Sequence, residues 1–141
     1  MDSLVQDTRI LWSTHKDETP VGAGRNVVQA VHRCPLEIRI KFFAVLGRVR
    51  KRLNRDEKIS VYWWHAPFLY IEVRDTRWRH YPCDLRMLVS FDTTNGKCAS
   101  SESANQYAFA RKGWRSLAKE LVGCDVRQYT DCGHPENAES C

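Results

Sequence analysis

The stretch "LRMLVSFDTTNGKC", residues 85 to 98, constrains the fold more than any other. Leu85, Met87, Val89 and Phe91 alternate with polar neighbours, so they share one face of an extended strand. Asn95-Gly96 then supplies a strong hairpin signal, because both residues tolerate the positive φ of a tight turn. The chain must therefore fold back into a partner strand around 97–100. A second pair precedes it in "ISVYWWHAPFLYIEV", where two aromatic and β-branched runs flank "HAP". Ile59, Val61 and Trp63 lie on one side of that first run, with Tyr62 and Trp64 on the other. A strand apolar on both faces is covered on both, or presents aromatics to a partner.

Two segments carry a helical period instead. In "LEIRIKFFAVLGRVRKRLNR" the first half alternates through Leu36, Ile38, Ile40 and Phe42, which alone reads as a strand. From Phe42 the spacing becomes Phe42, Val45, Leu46, Val49 and Leu53, one stripe of a helix. Nothing breaks the two halves apart and Pro35 suits a first helical turn, so one helix is predicted over 35–54. In "SANQYAFARKGWRSLAKELVG", Tyr107, Ala110, Trp114, Leu117 and Leu121 repeat at helical spacing, with Ser103 as cap and Gly123 as terminator. A shorter helix through "VVQAVHR" begins at Asn26 and ends at Pro35.

These elements define an α+β fold: an antiparallel sheet of about four strands, as two hairpins, packed against two amphipathic basic helices. Residues 26–123 form the domain. Residues 1–25 read as a flexible N-terminal arm, and 124–141 as an acidic tail containing cysteine and histidine. The full 141 residues suffice for one buried core, and 43% hydrophobic with 28% charged residues is a globular balance. "MDSLVQDTRILWSTHKDE" has no apolar run of signal-peptide length, and no stretch nears the ~20 apolar residues of a membrane span. The expectation is an intracellular protein, cytoplasmic or nuclear.

The net charge of +5 directs attention to anionic partners. Lys41, Arg48, Lys51, Arg52 and Arg55 fall on the side of the first long helix away from its apolar stripe. The acids on or just after that helix are Glu37, Asp56 and Glu57, whereas a merely solvated face mixes signs. Arg111, Lys112, Arg115 and Lys119 flank the last helix. "RDTRWRH" sets Arg74, Arg77 and Arg79 around Trp78, and arginine and tryptophan both stack on bases. Nucleic acid, RNA above DNA, is the expected partner.

No C-x-x-C pair, Gly-rich phosphate loop, H-E-x-x-H or G-x-S-x-G pattern is present. Cys83 or Cys98 with His65 or His80 would make a nucleophile pair only if the fold brought them together, and an enzyme is not expected. Cys124, Cys132, His134 and Cys141 are a candidate zinc set by donor type, though their spacing fits no common finger; free thiols are the preferred reading. Two other partners stay open. The aromatic hairpin would serve a protein contact, a homodimer included, and a basic aromatic-rich surface would adhere to anionic membranes. The membrane reading is weaker, since no basic amphipathic arm lies near either end.

"TTNGKCASSESANQYAFARKGWRSLAKEL" resembles the last hairpin and final helix of the double-stranded RNA-binding domain. That resemblance implies recognition of duplex RNA by shape, with cations near the helix start on phosphates. The G-P-x-H stretch of that family is absent, and two hairpins stand in place of its three strands. A small regulatory or viral accessory protein would suit this build.

Overall fold

The structure, a computed structural model, describes residues 2–13, 23–63, 66–78, 83–100 and 112–122. Its elements are α1 (Asp2–Val5), β1 (Ile10–Ser13), α2 (Ala23–Arg33), α3 (Leu36–Lys51), β2 (Glu57–Trp63), β3 (Phe68–Asp75), β4 (Leu85–Asp92), β5 (Cys98–Ser100) and α4 (Lys112–Val122). The strands form one sheet in the order β1-β2-β3-β4-β5.

The α+β class holds, but the sheet is mixed and has five strands. β2 to β5 make the expected antiparallel pairs, with Val61 opposite Ile71, Ile71 opposite Val89, and Phe91 opposite Cys98. β1 adds to the edge in parallel, setting Ile10 against Ile59 and Trp12 against Val61. Residues 2–13, read from sequence as arm, thus include α1 and an edge strand. The cause is burial: Ile10 and Trp12 point into the core, and a parallel neighbour requires the long crossover that α2 and α3 provide. α2 starts at Ala23, upstream of the expected cap Asn26, and so carries Gly24 inside it. Val27 and Val31 are wholly buried and α2 packs on β1, which offsets the ~1 kcal/mol helix cost of glycine.

One sheet face carries the core. Ile59, Val61, Ile71, Val73, Met87, Val89 and Phe91 meet Phe42, Leu46 and Val49 of α3 and Trp114 and Leu117 of α4. Phe42 is the hub, its ring 5.2 Å from Phe91, 5.6 Å from Phe43 and 6.4 Å from Trp12. The alternation in Leu36–Phe42 proves incidental. Ile38 and Phe42 are buried, while Leu36 and Ile40, one turn apart on the helix, are 57% and 51% exposed.

A buried carboxylate locks α4 to the sheet. Glu57 accepts from Trp114 Nε1 at 2.9 Å through one oxygen and from the Asn54 backbone N–H at 2.8 Å through the other. The opposite sheet face carries a buried polar pair. Tyr62 is buried, stacks on Tyr70 with centroids 5.5 Å apart, and donates to Glu72 Oε2 at 2.5 Å. Burial, then the Glu72 charge, pushes the Tyr62 phenol well above its usual range, so it stays a neutral donor.

Candidate functional site

α3 presents Lys41, Ala44, Val45 and Arg48 at positions i, i+3, i+4 and i+7, which places them along one side of the helix. The β4–β5 turn rises opposite them with Asn95, Gly96 and Lys97, and Leu121 of α4 and Cys98 close the wall. The result is a groove of about 550 Å³, lined among the described residues by three cations and no carboxylate. Cys98 is buried at its inner edge, its thiol donating to the Leu121 carbonyl at 3.4 Å.

The turn is shaped by short polar contacts. Asp92 Oδ1 accepts from the backbone N–H of Thr94 at 2.9 Å and from its hydroxyl at 2.6 Å, which holds this acid within the turn. Asn95 Oδ1 accepts from the Lys97 N–H at 2.9 Å, leaving the amide nitrogen of Asn95 as a donor. Gly96 has φ +76°, a conformation that L residues rarely adopt. A Cβ on Gly96 would stand 2.7 Å from Lys41 Cδ and 3.3 Å from Ile38 Cδ1. The lysine stem therefore lies directly across the glycine, and the turn positions the ammonium along the groove.

Several cations outside the groove are ion-paired. Arg9 meets Asp7, Arg52 meets Glu120 at 3.0 Å, and Arg86 meets Asp75 at 3.3 Å. Lys41, Arg48 and Lys97 have no ion pair among the described residues. Of the other residues singled out in the sequence, Lys51, Arg55, Arg115 and Lys119 are exposed. The Arg52–Glu120 bridge draws the basic flanks of α3 and α4 together.

The β3–β4 cluster is arranged differently. Arg74 is held between Glu72 and Asp84. Arg77 binds Asp75 through Nε at 3.0 Å and Nη2 at 2.6 Å, and these hydrogen bonds hold the Asp75 carboxyl down at about 2. Both arginines thus serve the sheet end through internal carboxylates. Trp78 beside them is 55% exposed. It lies beyond the start of β4 while the groove lies beyond its end, about 25 Å apart along a strand of that length.

Lys112 opens α4, and Arg79 and Arg111 lie outside the described residues, as do Cys124, Cys132, His134 and Cys141. Among the described residues no group of three or more His, Cys, Asp or Glu could hold a metal ion. Cys34, Cys83 and Cys98 are free thiols, and His65 and His80, their candidate catalytic partners, are outside the described residues. No helix among the described residues is long and apolar enough to cross a membrane.

Sequence reasoning missed Lys97, Asn95 and the positioning role of Gly96. The Asn-Gly signal announced the turn, but its docking against Lys41 is a long-range contact that no local pattern encodes. No family model, no curated protein and no solved structure matches this chain.

Proposed function

We propose that the protein binds nucleic acid, RNA in preference, by seating backbone phosphate in the groove between α3 and the β4–β5 turn. The observation that carries this reading is the charge of the groove: Lys41, Arg48 and Lys97 converge, and no carboxylate is among the described lining residues. A phosphate about 4 Å from a cation gains about 1 kcal/mol in water and about 4 kcal/mol at a protein surface, before desolvation. Arginine contributes a planar fork suited to two phosphate oxygens, and the lysines contribute point charges. Lys51, Arg55, Arg115 and Lys119 extend the positive surface along both helices. RNA is placed before DNA on the resemblance of residues 93–121 to part of the double-stranded RNA-binding domain, a fold that recognises duplex RNA by shape. Trp78 offers a separate stacking platform for an unpaired base.

The test is RNA binding by wild type and by the triple variant Lys41→Ala/Arg48→Ala/Lys97→Ala at low salt, with Arg9→Ala as a control outside the groove. Loss of affinity in the triple variant alone supports the reading. Equal affinity in all three proteins discards it.

A second reading rests on Leu36 and Ile40, large apolar side chains exposed one turn apart at the start of α3. They suit a protein contact, and in that case Ile40→Glu would abolish association while leaving RNA affinity unchanged.

A further inference from the structure

The groove differs in shape from the rest of the basic surface, and the difference bears on which phosphate it takes. Lys51, Arg55, Arg115 and Lys119 stand on exposed surface of α3, α4 and the α3–β2 connection. Lys41, Arg48 and Lys97 instead surround a recess of about 550 Å³, within the ~300–1,000 Å³ span of small-ligand sites. An internal phosphodiester brings one negative charge and shares two of its oxygens with ribose. A terminal monoester carries roughly −1.5 to −2 near neutral pH and presents three free acceptor oxygens. Three convergent cations and the Asn95 amide match the second group better than the first. The apolar side of the recess, from Ala44, Val45 and Leu121, gives a sugar or base edge a surface to lie against. The recess also sits at one end of a basic run: past Arg48 the cations continue through Lys51 and Arg55.

Resting on the nucleic-acid reading, we propose that this groove is an end-binding pocket for the terminal phosphate monoester of an RNA strand. Lys41, laid across Gly96, and Lys97 hold the phosphate from the turn side, and Arg48 closes on it from α3. The strand then leaves along the outer surface of α3.

Fluorescence anisotropy with one single-stranded oligoribonucleotide, labelled internally, tests this. It is prepared with a 5′-monophosphate, with a 3′-monophosphate, and with hydroxyls at both ends; a hydroxyl-ended strand one nucleotide longer controls for added charge. At least one phosphorylated strand is expected to bind about tenfold tighter than both hydroxyl-ended strands, the gain of one charge-assisted hydrogen bond. The two phosphorylated strands tell which end is read, and competition by inorganic phosphate tells whether the phosphate alone suffices. The gain disappears in Arg48→Ala and in Lys97→Ala, and persists in Lys119→Ala. Equal binding of all strands, still lost in the groove variants, overturns the end pocket and leaves backbone binding standing. A gain that survives Arg48→Ala overturns it too. Absence of binding by every strand overturns the nucleic-acid reading beneath it.

Discussion

Replacing Trp114 with phenylalanine removes the indole donor that α4 sends to Glu57 while keeping most of the ring. Trp114 and Glu57 are each 1% exposed, so water cannot restore the lost partner. Leaving a buried acceptor short of a donor costs about 1–3 kcal/mol, and the smaller ring adds a packing loss, so about 2–4 kcal/mol is expected in all. Glu57→Gln probes the same bond from the other end. Both Glu57 oxygens accept, one from Asn54 N–H and one from Trp114 Nε1, so a glutamine must turn its NH2 group against one of these donors. Urea unfolding, followed by far-ultraviolet circular dichroism, reads the effect. With a slope of about 2 kcal/mol per molar urea, a 2 kcal/mol loss moves the midpoint down by about 1 M. The Trp114→Phe/Glu57→Gln double variant should be less destabilised than the sum of the singles by about 1 kcal/mol or more, because both remove one bond. A sum that is simply additive, or a Trp114→Phe cost under about 0.5 kcal/mol, would refute the claim that this bond docks α4. The consequence reaches the groove, whose wall includes Leu121 of the same helix.

Acid stability should depend on Asp75. Its folded pKa lies near 2 against 3.8 ordinarily, so the stability it contributes is present above about pH 4 and is lost as pH falls toward 2. The shift corresponds to about 2 kcal/mol, and Asp75→Asn should flatten the acid unfolding curve across that window. Phe42→Ala should cost about 3–5 kcal/mol in the same urea assay, since its ring joins α3 to Phe91 and Trp12; a loss below about 1 kcal/mol would contradict its place as hub. Gly96→Ala should cost about 1–2 kcal/mol for a side chain at positive φ and also displace Lys41. RNA affinity in that variant should fall as it does in Lys41→Ala, and unchanged affinity would show that the turn does not position the lysine.

Much of the sheet was legible because its signals are local. Alternation gave the inward faces of β2 and β4, and Asn95-Gly96 gave the turn into β5, where the glycine indeed has positive φ. The helical stripes named Val45, Leu46 and Val49 on α3 and Trp114, Leu117 and Leu121 on α4, all of them buried. β1 escaped because four residues are too few to show a period, and its pairing with Ile59–Tyr62 depends on a crossover. The candidate groove was half legible. Charge asymmetry on α3 marked Lys41 and Arg48, but the third cation comes from a turn that only tertiary packing brings alongside. The arginines of "RDTRWRH" looked like free charge, yet Arg74 and Arg77 answer Glu72, Asp84 and Asp75. The alternation Glu72, Val73, Arg74 puts that acid and base on one strand face, and that was the available signal.

The most direct test of the account is the slope of log affinity against log salt for RNA binding, measured for wild type and for Lys41→Ala/Arg48→Ala/Lys97→Ala. Each phosphate contact contributes about 0.7 of a unit on single strands and about 0.9 on B-form duplex, so removing three should flatten the slope by about 2 units or slightly more. Circular dichroism should show the fold intact, since the side chains of Lys41, Arg48 and Lys97 have no ion pair among the described residues. The account predicts a steep wild-type slope and a variant that is weaker at low salt and less salt-sensitive. Identical slopes for the two proteins, or no detectable wild-type binding at low salt, would contradict it.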